Sequence, residues 1–256
     1  MQKMLPRIRT FALIGRGVWL ALLRRQDLYV CVMLICIFLV GVLVMRIVGI
    51  DNPATGTFLL NMGMTFASIC AHVMALLLAV RQFPSEMENR TLYPLLARPV
   101  RRADIVLAKW LAVAIGGVVV YTALLSIVWA SVPKLETYDF VLLAQLYVLH
   151  LFSLLWLAGV GITFSLIFPR GLAVFAGGLL YFAGASLRRW IGQELPIGRV
   201  GAAYIPDFGM LDLTTRYTDG MHALAGQDWL FLVGYALAMI LCFAVAALAL
   251  FERKPL

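Results

Sequence analysis

Long apolar runs alternate with short polar stretches along the whole chain. A helix of roughly 20 apolar residues is long enough to cross a bilayer. Six runs meet or approach this length, at residues 28–48, 59–80, 106–130, 141–168, 171–188 and 229–251. The pattern predicts an all-α, polytopic membrane protein in which six transmembrane helices occupy residues 28–251 and a short tail occupies 252–256.

Two further stretches carry an amphipathic composition. Residues 1–27 combine several arginines with Trp19 and aliphatic side chains, which is typical of a helix lying in the membrane interface; a simple basic anchor is the alternative. Residues 189–228 form a long loop that contains prolines, glycines and aromatic residues. Because long structureless loops are uncommon in compact proteins, we expect short helices or a re-entrant piece there, and a plain connector is the alternative.

Composition and charge set the orientation. The chain is 63% hydrophobic and only 13% charged, which leaves no room for a separate soluble domain. Most of the 21 Lys and Arg residues fall in 1–27, 81–105, 169–170 and 252–256. Basic residues accumulate on the cytoplasmic side, so we expect a multi-pass protein of the cell membrane, such as a bacterial inner membrane, with both termini cytoplasmic. Anionic lipid headgroups account for the net charge of +8, and no nucleic-acid partner is predicted.

The second apolar run carries a polar stripe. Asn61, Thr65, Ser68 and His72 follow helical spacing and share one face. Hydrogen-bonding side chains inside a bilayer seldom face lipid. We therefore expect the stripe to line either an aqueous pathway or the contact with another helix, including one of a second subunit, where such side chains form interhelical hydrogen bonds.

The chain lacks the common catalytic and metal-binding motifs. It has no Gly-x-x-x-x-Gly-Lys-Ser/Thr loop, no His-Glu-x-x-His and no Cys-x-x-Cys. We predict no catalytic residue, no metal site and no cofactor in this chain. His150 is interpreted as a lone packing residue. An intramembrane enzyme using His72 or His150 is the alternative, although the sequence shows no nucleophile and base pair for it.

The charged stretch 84–102 has an amphipathic pattern of its own. Pro84 suits the first turn of a helix, and Glu86 and Glu88 would complement the positive end of its dipole. An apolar ridge at helical spacing follows, formed by Leu92, Leu95 and Leu96. Arg98, Arg101 and Arg102 are placed to hold the stretch at lipid phosphates. The pattern indicates either a short helix that docks into a partner's groove or an ordinary interfacial loop.

The order of residues in this stretch resembles the segment after the second span in permeases of the ABC-2 type transporter family. The shared pattern is Glu-x-x-Thr-Leu-x-x-Leu-Leu-x-x-Pro-x-x-Arg with a lysine soon after, here Glu88, Thr91, Leu92, Leu95, Leu96, Pro99, Arg102 and Lys109. Arg90 stands where many members have glycine. The leading amphipathic helix, the six spans and the long loop before the last span are similar to the family over the whole chain.

The resemblance implies the membrane subunit of an ATP-driven transporter that usually exports its substrate. It implies two separate ATPase subunits, which hold the ATP and magnesium, and a second permease subunit in a homodimer or heterodimer. The residues it implies for a cytoplasmic coupling helix are Glu86, Glu88, Arg90, Thr91, Leu92, Leu95, Leu96, Arg98, Pro99, Arg101 and Arg102. The alternative is a non-transporting subunit that transmits the ATPase motion to a partner on the outer face.

Overall fold

Five long helices form most of the described protein. The computed structural model describes residues 53–88, 102–131, 139–194 and 206–253, together with isolated helical residues between 17 and 44. In chain order its elements are α1 (Pro53–Glu88), α2 (Arg102–Ser131), α3 (Phe140–Ile167), α4 (Arg170–Glu194), a 3₁₀ helix (Phe208–Leu211), α5 (Thr214–Thr218) and α6 (Gly226–Arg253). The five long helices are long and apolar enough to cross a membrane. They correspond to the second to sixth predicted spans, whereas most of 1–48 lies outside the described residues.

The third helix is the centre of the bundle. α3 packs against α1, α2, α4 and α6, and Leu149, Leu154 and Trp156 on it are fully buried. The long helices alternate in direction along the chain. α3 and α6 therefore begin at one end of the bundle, called here the Asp139 end, and α2 and α4 begin at the other, called the Arg102 end.

Local chemistry explains how α3 starts and stops. The carboxylate of Asp139 accepts hydrogen bonds from the backbone N–H groups of Val141 and Leu142, which caps the helix. The pKa of Asp139 is lowered by the N–H of Leu142 first, and then by those of Val141 and Ala223. This stabilisation is present while the carboxylate is ionised and is lost as the pH falls through that lowered pKa. At the other end, Pro169 follows Phe168 and keeps the connection to α4 tight.

The predicted start of the coupling helix differs from the structure. Pro84 does not begin a new helix but lies inside α1, which continues to Glu88. A proline this close to a helix end removes few backbone hydrogen bonds, so the last turn can persist beyond it. Residues 89–101, which include the predicted apolar ridge, lie outside the described residues.

A segment between α4 and α6 folds back into the bundle. Residues 206–225, called here the inserted segment, contain the 3₁₀ helix and α5, which agrees with the short helices expected in 189–228. The ring of Phe208 stacks on that of Trp156 with 4.1 Å between centroids. Trp156 is 16 positions after Phe140, about 24 Å along α3 at 1.5 Å per residue. The inserted segment therefore reaches the middle of the bundle.

Candidate functional site

Two serines and two histidines join α1 to α3 near the middle of both helices. Ser68, His72, His150 and Ser153 are all buried. Nε2 of His72 lies 2.7 Å from Oγ of Ser153, and Nε2 of His150 lies 3.0 Å from Oγ of Ser68. Each helix thus supplies one serine and one histidine, and the two pairs cross the contact between the helices. These four residues are called here the Ser–His cluster.

The backbone sets the direction of the hydrogen bonds in the Ser–His cluster. Nδ1 of His72 lies 2.7 Å from the carbonyl oxygen of Ser68, and Nδ1 of His150 lies 3.0 Å from that of Leu146. A carbonyl oxygen only accepts, so each Nδ1 carries a proton and donates it. Nε2 of a neutral ring is then the acceptor, and Ser153 and Ser68 donate to it. The cluster is satisfied without any charge, as an apolar surrounding favours.

A cavity of about 180 Å³ lies beside the Ser–His cluster. α1 and α3 supply its polar wall, which also includes Thr65, while Tyr181 and Phe182 of α4 and Phe208 of the inserted segment supply aromatic rings. Tyr181 stacks on His72 with 4.8 Å between ring centroids. The cavity is therefore a space within the helix bundle that the inserted segment bounds on one side.

Among the described residues that line the cavity, Asp212 is the one with a formal charge. Its Oδ1 accepts a hydrogen bond from the backbone N–H of Thr214 at 2.9 Å. The same oxygen lies 3.9 Å from Nε2 of His150, which is beyond hydrogen-bonding distance. The Asp212 side chain is 43% exposed, so the carboxylate stands at the mouth of the cavity.

Several contacts tie the inserted segment to the surrounding helices. The backbone N–H of Ala223 donates to Oδ2 of Asp139 at 3.1 Å. Gln145 both accepts from the N–H of Leu224 at 2.8 Å and donates to its carbonyl at 3.2 Å. Near the 3₁₀ helix, Nη1 of Arg188 lies 3.5 Å from Oδ2 of Asp207. The segment is thus held at both of its ends and enters the bundle between them.

The structure places the predicted polar stripe partly in this site. Oγ1 of Thr65 donates to Oδ1 of Asn61 at 3.3 Å, and both residues are half-buried. Ser68 and His72 lie in the Ser–His cluster, and Thr65, Ser68 and His72 line the cavity. None of the four is exposed. Whether they act in a pathway or at a subunit interface stays a prediction.

His150 is buried and packed, as interpreted, but it does not stand alone. The ring of His150 bonds Ser68 and stacks on Tyr121 with 4.9 Å between centroids. Sequence reasoning also missed Ser153 and Asp212. A signal existed for Ser153, because it follows His150 by three positions and so repeats the helical spacing of the polar stripe. No local signal pointed to Asp212, which is brought to the cavity by the fold of the inserted segment.

The Ser–His pairs supply the hydroxyl and base that the enzyme alternative lacked in the sequence. Both serines lie in the interior of long helices, where the backbone N–H groups bond the carbonyls four residues earlier. Those N–H groups are not free to stabilise an oxyanion. In the described part of the chain, no three His, Cys, Asp or Glu side chains are close enough to bind a metal ion. The arrangement therefore suits hydrogen bonding better than hydrolysis.

Two basic residues of α2 follow the undescribed stretch 89–101 at the Arg102 end. Nη1 of Arg102 donates to the carbonyl oxygens of Phe251 and Glu252 at 3.4 and 3.2 Å, which anchors the start of α2 to the end of α6. Nζ of Lys109, with 1% of the residue exposed, donates to the carbonyl of Gln82 at 3.4 Å and lies 4.4 Å from the ring centroid of Phe83. The two ends of the predicted coupling segment are thus attached to the bundle.

Ser68→Ala should destabilise the protein by about 1 kcal/mol, because it leaves Nε2 of His150 without its donor inside the bundle. His72→Leu should cost a similar amount, and the two changes together should cost less than their sum because they disrupt one cluster. Ser126→Ala is a matched control, since Oγ of this exposed serine donates to the carbonyl of Thr122 within its own helix. Thermal unfolding in detergent measures all three. Equal effects of Ser68→Ala and Ser126→Ala would contradict the role given to the cluster.

The chain matches a known protein family. A family model described as "ABC-2 family transporter protein" matches residues 23–256. No curated protein gives a match.

Proposed function

Because the chain belongs to the ABC-2 family of transporter proteins, we propose that it is the permease subunit of a transporter in which a separate ATPase supplies the energy. Membership in this family makes the chain a membrane component of an ABC transporter. The ATP and magnesium would be held by two ATPase subunits. A second permease subunit, identical or different, would complete the membrane part.

The observation that carries this proposal is the cavity at the middle of the bundle. It lies between helices long enough to span a membrane, and its wall contains both polar and aromatic side chains. Sites that bind transported molecules have this mixture of apolar surface and a few placed polar groups. The inserted segment bounds the cavity toward the Asp139 end, so its displacement would open a route to that side.

The Arg102 end is the side proposed to face the ATPase. The excess of basic residues favours a cytoplasmic location for this end, and the stretch 84–102 would bind the ATPase there. Arg102 and Lys109 connect this stretch to α6 and α1. Closure of the ATPases would therefore move α1 and α2. Their outward displacement would release the inserted segment, which would open the route from the cavity for export.

A disulfide between the inserted segment and α4 tests whether the segment has to move. A Cβ added at Gly209 would lie 3.8 Å from Cβ of Ala185, which is close to the mean separation in disulfides. Ala185→Cys combined with Gly209→Cys, in a background without the four native cysteines, should form this bond on oxidation. We expect the assembled complex to lose most of its ATPase activity and to regain it on reduction.

Each single-cysteine variant is the control for the disulfide experiment, since it carries the same change of side chain without the cross-link. Undiminished ATPase activity with the disulfide fully formed would mean that the segment is static, and the proposed route past it would be rejected.

The orientation is tested by thiol labelling on intact cells. Asp219 is exposed on the inserted segment, and Arg101 lies in the predicted coupling stretch. Asp219→Cys should react with a membrane-impermeant reagent in intact cells, whereas Arg101→Cys should react only after lysis. The reverse pattern would place the Asp139 end in the cytoplasm.

A further inference from the structure

We propose that the cavity binds an ammonium group, with Asp212 as its counter-ion, and that the ligand is a small organic cation or the headgroup of an amine-bearing lipid. The inference rests on the proposed function, because it assigns a substrate class to the cavity of the permease. Three properties of the cavity carry it: the sign of its charge, its aromatic wall, and its size and opening.

The charge of the cavity wall is negative. Asp212 is the one formally charged side chain that the described part of the chain contributes to it, and the neutral rings of His72 and His150 are already satisfied by Ser153 and Ser68. On α4, the guanidinium of Arg188 pairs instead with Asp207. No Lys or Arg side chain in the described part of the chain pairs with Asp212, and a carboxylate that faces a cavity within a membrane bundle is typical of ion or substrate pathways. A ligand that brings a positive charge would pair with this carboxylate, whereas an anion would be repelled by it.

Aromatic side chains surround the same space. Tyr181, Phe182 and Phe208 line the cavity together with Asp212. The faces of aromatic rings attract ammonium groups, and the attraction is stronger where water is excluded. A carboxylate next to several aromatic rings therefore favours an alkylated ammonium group over a fully hydrated metal ion.

The size and the opening of the cavity limit what the ligand can be. Its volume of about 180 Å³ is below the roughly 300–1,000 Å³ typical of sites for drug-sized molecules. It suits a headgroup or a small amine. Phe182 on the wall is 60% exposed, and Thr65 and Ile69 are half-buried. The cavity therefore reaches the surface of the described bundle between α1 and α4, where either a lipid or a soluble cation can enter.

Binding to the purified full-length permease in nanodiscs tests the proposal without the ATPase. In the soluble arm, tetramethylammonium chloride and methylammonium chloride are titrated at constant ionic strength against sodium chloride, with binding measured by calorimetry. In the lipid arm, the thermal stability is compared between phosphatidylethanolamine and phosphatidylglycerol discs.

Two aspartate variants test the role of Asp212. Asp212→Asn should weaken the binding of the soluble ions at least about tenfold, or reduce the stabilisation by the ethanolamine lipid to a similar extent. This substitution keeps the side-chain oxygen that accepts the hydrogen bond from the backbone N–H of Thr214. Asp219→Asn changes an exposed aspartate of the same segment that lies outside the cavity wall. It should leave the ion binding and the lipid-dependent stability unchanged.

The two arms distinguish the sources of the ammonium group. Binding of the soluble ions alone assigns the site to a small cation, and a stabilisation that depends on the ethanolamine lipid alone assigns it to a headgroup. Absence of both effects in the wild-type protein overturns the proposal, as does an Asp212→Asn variant that binds like the wild type. Either result would leave the permease function standing, because that function is tested separately by the disulfide and the ATPase activity.

Discussion

Leu92→Asp is expected to abolish the coupling of the ATPase to the permease while leaving the permease inserted in the membrane. Leu92 belongs to the predicted apolar ridge of the stretch 84–102. A few apolar residues usually carry most of the energy of such an interface, so a buried charge there should weaken the association by at least about 2 kcal/mol, or about 30-fold. Pull-down of the ATPase and the ATPase activity of the complex measure the effect.

The controls for this prediction separate charge from shape. Leu92→Met keeps the volume and the apolar character, so we expect it to retain most of the activity. Glu88→Ala tests the other part of the stretch, and we expect partial uncoupling. Normal association and normal activity in both Leu92→Asp and Glu88→Ala would show that the ATPase binds elsewhere.

Gly161→Val is expected to destabilise the bundle strongly. A Cβ at position 161 would lie only 2.6 Å from Cβ of Ala79 and 3.3 Å from Cδ1 of Leu76. The Cβ of Ala79 is fixed to the backbone and cannot rotate away, so α1 and α3 must separate. Overpacking of this kind typically costs about 1–3 kcal/mol. The separation would also disturb the Ser–His cluster, which bridges the same two helices.

Gly178→Val provides the matched comparison for Gly161→Val. Both glycines lie within long helices, so the change in helix propensity is the same, but no heavy atom lies within 4 Å of a Cβ at position 178. We expect a large drop in thermal stability and in the yield of folded protein for Gly161→Val and a small one for Gly178→Val. Equal stability of the two variants would contradict the close packing of α1 and α3.

The sequence predicted the helices well because membrane spans depend on local composition. Five of the six predicted spans correspond to described helices, with boundaries that the structure extends at most ends. The main error lay at Pro84, where a local signal for a helix start is overridden by the continuation of α1. The sequence alone does not distinguish Gly161 from Gly178, yet Gly161 faces Ala79 and Gly178 faces open space.

The candidate site could be predicted only in part. The polar stripe on α1 is visible because its residues are close in sequence and share a helical face. Their partners are not visible in this way, since His72 and Ser153 are 81 positions apart and Ser68 and His150 are 82 apart. Asp212 joins them only because the inserted segment enters the bundle.

The sequence by itself determined the ABC-2 family, through the match over residues 23–256. It also determined an all-helical membrane protein, because a bilayer requires each span to satisfy its own backbone hydrogen bonds and to present apolar side chains over a set length. Those requirements act on one segment at a time. Only the tertiary structure decided which helix faces meet, that His150 and Ser153 complete the Ser–His cluster, and that Asp212 faces the cavity. The rotation and height of each helix depend on packing against all its neighbours at once, and no single segment encodes them.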